Sequence, residues 1–269
     1  MHDPTFIAAN PAHALVPWRW AAAGALAGGL LALVLFAPAR WLASLARQAS
    51  EEHVVLASPR GSLWQGSAQL VLSGGAGSLD AMALPGRVSW RIRPVWTGLD
   101  VQLNAECCMR QAWQLQASPV GWGGMQLALS DSQSQWPAAL LSGLGTPWNT
   151  VQAQGQLAAS THGLNVRWTQ GRLVLAGRLQ LDALQISSRL STLRPMGSYR
   201  LTLLGGSPSA LELSTLEGSL QLTGQGQWVG QRLVFDGAAS ATPGSVDALS
   251  NLLNIIGRRN GATAVIKVS

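Results

Sequence analysis

Trp168 to Gly177 reads WTQGRLVLAG, and sixty residues further on Trp228 to Gly237 reads WVGQRLVFDG. The two segments align without gaps at Trp, Arg, Leu, Val and the final Gly. Trp64 to Gly74, WQGSAQLVLSG, repeats the device with one extra residue, and Trp96-Thr97-Gly98 and Trp122-Gly123-Gly124 also lead into alternating segments. The physical reading is a hairpin module. A strand ends on Trp, a glycine supplies the positive φ of a tight turn, and an apolar strand returns. Tryptophan at a hairpin end is expected to pack locally and plug the edge of the core. The twelve Trp, set against one Tyr and three Phe, leave a sugar or lipid platform as the other use.

Outward from these hairpins the period is two. Val101-Gln102-Leu103, Leu179-Gln180-Leu181, Leu201-Thr202-Leu203, Leu211-Glu212-Leu213 and Leu220-Gln221-Leu222 alternate apolar with polar. That spacing puts leucines on one face of a strand and polar side chains on the other. Short alternating runs between glycine turns predict antiparallel strands with one buried and one wet face. Strands are expected at 69–72, 88–92, 99–105, 173–175, 199–204, 219–223 and 232–236. The fold class is all-β: a curved antiparallel meander sheet built from repeated hairpins, with a β-sandwich as the alternative.

Two short helices interrupt the pattern. Trp136 to Leu144 has Pro137 near its first turn and stops at Gly145. Ser245 to Arg259 has Ser245 or Asp247 as a cap, a Leu249/Leu252/Leu253/Ile256 stripe expected to pack in the core, and Arg258-Arg259 in the last turn. Thr263 to Val268 then reads as a last strand.

From Trp18 to Phe36 nearly every residue is Ala, Gly, Leu or Val. That run is long enough for a bilayer core of roughly 30 Å. Ala37-Pro38-Ala39 resembles a signal-peptidase site, but the run exceeds a signal core of about 7–15 residues and no Lys or Arg precedes Trp18. An uncleaved transmembrane helix is expected, flanked by Trp18, Trp20 and Trp41 as interfacial aromatics. Arg19 on one side and Arg40 and Arg47 on the other leave its orientation open. The organisation read from the chain is a tail (1–17), an anchor (18–38) and a β-rich domain (39–269).

Composition narrows the function. Charged residues are 11% of the chain against about 25% for soluble domains, which suits an envelope β-protein better than a cytoplasmic one. The net charge of +6 is spread thinly over arginines with one lysine, Lys267, so nucleic-acid binding is not expected. His2, His13, His53 and His162 show no metal-ligand spacing. There is no Gly-x-Ser-x-Gly elbow and no P-loop, and Gly224-Gln225-Gly226 lacks the rest of a dinucleotide fingerprint. No catalytic, cofactor-binding or metal-binding residue is assigned, and a non-enzyme is expected. Glu51-Glu52 reads as a solvent-facing juxtamembrane pair. Cys107 and Cys108 are adjacent; they read as a small vicinal ring, as two half-buried strand-end residues, or as a redox or intermolecular pair.

Ser58-Pro59-Arg60-Gly61-Ser62-Leu63-Trp64-Gln65-Gly66 and Leu84-Pro85-Gly86-Arg87-Val88-Ser89-Trp90-Arg91-Ile92-Arg93-Pro94 follow the span in that order. With the 136–145 and 252–259 segments, this chain resembles protein N of the bacterial type II secretion system, also called general secretion pathway protein N. The shared features are Gly61, Leu63, Trp64 and Gly66 as Gly-x-Leu-Trp-x-Gly, then Trp90 and Pro94 as Trp-x-x-x-Pro. The resemblance implies an anchor in the inner membrane with residues 39–269 in the periplasm and 1–17 in the cytoplasm. It implies a non-enzymatic accessory part in the inner-membrane platform. Its partners would be other type II secretion subunits and the outer-membrane secretin, with no cofactor, metal or small-molecule substrate. The alternative is an envelope lipid-handling protein with an apolar β-groove. A closed core favours docking; an open apolar groove above a few hundred Å² favours lipid.

Overall fold

The computed structural model describes residues 18–268 apart from 170, 230 and 231, and the expected 1–17 tail, with His2 and His13, lies outside the described residues. The chain divides into two units, Met1–Ala37 and Pro38–Ser269. In the first, α1 (Trp18–Leu35) is one continuous helix with no buried residue. It is long and apolar enough to cross a membrane by length and composition.

The second unit opens on α2 (Ala39–Ala49), followed by β1 (Val54–Gly61), β2 (Gln65–Ser73), β3 (Ala81–Ala83), β4 (Val88–Val95) and β5 (Gly98–Ala105). Next come β6 (Trp113–Val120), β7 (Gly124–Leu129) and β8 (Ser132–Pro137), a 3-10 helix (Ala138–Leu144) and the single turn α3 (Trp148–Val151). The long strands β9 (Gln154–Thr169) and β10 (Arg172–Ser187) lead to β11 (Gly197–Gly206), β12 (Ala210–Gly218), β13 (Leu220–Val229) and β14 (Arg232–Ala241). The described chain closes with α4 (Val246–Ile256), β15 (Arg258–Asn260) and β16 (Thr263–Val268).

All strands join one antiparallel sheet in the order β1-β2-β4-β5-β6-β7-β9-β10-β11-β12-β13-β14-β16-β15, with β3 extending the pairing of β2 and β8 that of β9. This is an open meander, as the repeated hairpins predict, and not a two-sheet sandwich. Each expected strand lies within an observed one, except that Ser219 precedes β13 by one residue. Register keeps the alternation in phase across the sheet. Val101 faces Ile92 and Leu115, and Leu115 faces Leu129; Leu201 faces Leu181 and Leu213. Gln102 faces Arg91 and Gln114 on the opposite side. Register shifts in β1, β10 and β12 mark bulges, which bend strands and raise their twist.

Helices cover only parts of the apolar face. Leu249, Leu252 and Leu253 of α4 are buried with Met196, Tyr199 and Leu220. Leu140 of the 3-10 helix closes over Leu84, Ala105 and Cys108. Leu42 of α2 packs against a cluster formed by Ala39, Ala68 and Trp90.

The helix bounds differ from the sequence reading. Trp136 and Pro137 finish β8, and the turn after them is 3-10. α4 ends at Ile256, where Gly257 is extended, and Arg258-Arg259 enter β15 rather than the last helical turn. Neither Ser245 nor Asp247 supplies a side-chain cap. The amphipathic α2 had no counterpart in the sequence reading, and Trp41, read as a flank of the span, belongs to it. Glu51 is exposed as expected, but Glu52 pairs with Arg47 at 2.8 Å.

An ion pair ties β10 to β11 on the polar face. Arg200 Nε and Nη2 each donate to Asp182 at 2.8 Å, and Gln180 donates to the same carboxylate. The hydrogen bond from Arg200 holds the Asp182 carboxyl below its ordinary value. A depressed acid stabilises the fold above its unfolded pKa of about 3.9, and that contribution is lost as pH falls through the folded value. Arg200 is 39% exposed, so solvent screens the pair. Asp182→Asn is therefore expected to cost about 1 kcal/mol at pH 7 by urea unfolding. The difference from wild type should vanish in strong acid; an equal cost at both pH values would contradict the assignment.

Candidate interaction surface

The tips following β4, β6, β9 and β13 are hairpins, as the sequence predicts, whereas Trp64 stands in the β1–β2 turn itself and Gly66 lies inside β2. Val95 pairs with Gly98 around Trp96-Thr97, and Val120 pairs with Gly124 around Gly121-Trp122-Gly123. Thr169 pairs with Arg172 at the β9–β10 tip. The Val229–Arg232 tip has its central residues, Gly230 and Gln231, outside the described residues. Three of the tryptophans at these tips do not plug the core, whereas Trp228 is half-buried. Trp96 and Trp122 are fully exposed and Trp168 is 60% exposed. Trp96 and Trp122 stand in loops that project beyond the last ladder bond, with no sheet beneath them, whereas Trp168 lies inside β9 on the open face beside Met125 and Leu173.

Two sites where an aromatic ring lies over glycine are structural. Trp90 is 4% exposed, and its Nε1 donates to Leu63 O at 3.1 Å. It stands opposite Gly66, where a Cβ would lie 2.5 Å from its ring. Gly-x-Leu-Trp-x-Gly therefore provides a flat floor for the later Trp. Phe235 similarly lies over Gly224, Gly226 and Gly237, each of which would bring a Cβ against its ring. Gly224-Gln225-Gly226 thus has a packing role that no sequence motif announced.

Between the helix-covered regions the apolar face is open. Pro119, Met125, Trp168 and Leu173 form one cross-strand row, and Leu99, Ala117, Leu127, Val166 and Leu175 the next. Met125, Trp168, Leu173, Leu99 and Leu127 are all exposed. The sheet's outer strands are β1, which α2 packs against, and the three-residue β15.

The reactive residues stay scattered. His53 Nδ1 meets Ser50 O at 2.9 Å, and His162 Nδ1 lies 3.6 Å from Asp131. Among the described residues no three His, Cys, Asp or Glu side chains gather as a metal site would require. Cys107 and Cys108 are bonded to each other in the β5–β6 connection, with Cys108 buried. Burial pushes the Tyr199 phenol above its ordinary value.

The fold is thus an open antiparallel sheet built from hairpins, preceded in the chain by one apolar helix. Residues 52–266 match the family of type II secretion system (T2SS), protein N, and the chain belongs to that family. It is thus a component of the type II secretion system, in a family of secretion components rather than known enzymes, and membership implies contacts with other subunits. Neither a curated protein nor a solved structure matches the chain.

Proposed function

We propose that this protein is an accessory component of the inner-membrane platform of the type II secretion system. In this reading α1 anchors residues 18–38 in the inner membrane, 1–17 face the cytoplasm and 39–269 lie in the periplasm. The protein supports export of folded periplasmic proteins across the outer membrane by binding other subunits, the secretin among them, without a catalytic step of its own. The family match across nearly the whole β unit carries the proposal. The Cys107–Cys108 bond suits an oxidising compartment. Strand edges and hairpin tips offer contacts led by the backbone.

A phosphatase reporter that works only after export, fused after Ser269, is expected to be active. A reporter active only in cytoplasm at the same position, or a mature N-terminus at Arg40, would overturn the topology. Whole-cell crosslinking and pull-down should recover platform subunits.

The open apolar rows of β5 to β10 favour one second reading, an envelope lipid-handling role. Recovery of phospholipid or a cell-wall precursor, with no secretion subunit, would replace the first reading by the second.

A further inference from the structure

The β4–β5, β6–β7 and β9–β10 tips lie at one end of the sheet, because the meander returns each of these strand pairs to the same side. Consecutive tips are two strands apart, about 10 Å along the sheet. They present Trp96, Trp122 and Trp168, supported by the exposed Val95, Met125 and Leu173. No neighbour lies within 4 Å of where a Cβ would stand at Gly121, Gly123 or Gly171, so the turns project into open space.

Their charge is one-sided. Segments 91–100, 117–126 and 165–174 hold Arg91, Arg93, Arg167 and Arg172 against Asp100 alone, a net +3. All four arginines are exposed. At the far end of β5 and β6 the connection carries Glu106 and Arg110 and no tryptophan. Aromatic side chains with arginines beside them suit a surface that is apolar beneath and anionic on top, which is the head-group layer of a bilayer. Three separate knobs also suit a fluid surface better than a rigid partner, which would have to fill the spaces between them.

The start of the β unit lies toward this end of the sheet. Pro38 bridges to Ser62 in the β1–β2 turn, and β2 enters the sheet from that turn with Gln65 opposite Arg91. From Leu35 to Pro38 is three residues, a covalent reach of about 10 Å.

We propose that the three hairpin tips dip into the head-group layer of a bilayer containing anionic phospholipid, as a second membrane contact besides α1. The proposal takes the anchor from the reading above but does not depend on which secretion subunits the protein binds.

Tryptophan quenching in a bilayer tests it. The full chain is reconstituted in vesicles of phosphatidylethanolamine and phosphatidylglycerol brominated near the head-group end of the acyl chains. Wild type is compared with Trp96→Ser/Trp122→Ser/Trp168→Ser. Trp18, Trp20 and Trp41 contribute equally to both. Wild type should lose roughly a quarter more of its fluorescence, because three of its twelve tryptophans are at the tips. Exchanging phosphatidylglycerol for neutral phosphatidylcholine, or Arg93→Gln/Arg172→Gln, should reduce that excess by about twofold or more. Trp122→Ser alone should remove about a third of it, and its exposed side chain leaves the fold undisturbed. Equal quenching of wild type and the triple variant overturns the proposal. So do tips that stay unquenched in vesicles and crosslink to a secretion subunit in cells. Loss of subunit capture with tip quenching intact would instead count against the platform reading alone.

Discussion

Trp90→Ala should lower the unfolding free energy by about 3–5 kcal/mol, the range for removing a large buried aromatic. Trp90 is buried among Ala39, Ala68, Leu42, Leu56, Ile92 and Leu103, so its ring is the shared surface of α2, β1, β2, β4 and β5. Truncation leaves a cavity where those elements meet and frees the Leu63 carbonyl of its indole donor. Against a total stability of about 5–15 kcal/mol this is a large fraction. Trp90→Phe keeps most of the ring and loses the N–H, so about 1 kcal/mol is expected. Gly66→Val attacks the same contact from the other side, because its Cβ would lie 2.5 Å from the ring. Urea unfolding followed by circular dichroism checks the series. A cost under about 1 kcal/mol for Trp90→Ala would show that the ring is not the keystone of this packing. In cells a loss of this size lowers abundance, so changes in Gly-x-Leu-Trp-x-Gly would act on secretion through folding before any contact with a partner.

The hairpins were legible because two local rules agree in them. Glycine at Gly98, Gly121, Gly123 and Gly171 permits the turn, and the alternating leucines fix which face of the returning strand meets its neighbour. Other elements obey no such local rule. β8 reads Ser132-Gln133-Ser134-Gln135, with no apolar alternation, yet Ser132 and Ser134 are buried. Thr161 makes this possible by accepting from the Ser132 N–H at 3.1 Å and donating to Ser130 O at 3.0 Å. That partner stands 29 residues away, beyond the reach of pattern reading. α2 was hidden beside the span, where Trp41 and Leu42 read as membrane flank; only Trp90 gives Leu42 its place. The tip tryptophans misled in the other direction. Sequence spacing put Trp96 and Trp122 at turns correctly, but whether a turn side chain folds back or projects depends on the tertiary neighbours available, and here there are none. The adjacency of Cys107 and Cys108 was visible in the chain; their bond follows from the β5–β6 turn that holds them.

Deleting 1–37 while still exporting the β unit should reduce type II secretion far more than any single change on an exposed strand. The α1 helix buries no residue, and the β clusters of residues 39–269 do not draw on it, so its removal is expected to leave the β unit folded. What is lost is confinement. A tether converts capture by a membrane-bound partner into an intramolecular event, and the effective concentration it provides can be worth about 10²–10⁴ in avidity. On the proposed reading, contacts led by the backbone at strand edges are individually weak and spread over many residues, so they depend on that factor, whereas one substituted side chain leaves most of the pairing intact. An unrelated apolar helix of about 20 residues in place of α1 should then restore secretion, because only the tether is being replaced. The readout is the amount of a type II substrate in the culture medium, with blots showing equal levels of the three proteins. Full secretion by the untethered β unit would remove confinement from the mechanism. Failure of the substituted helix to rescue would show that α1 itself recognises a partner within the membrane, and the search for contacts would move from the sheet to the helix.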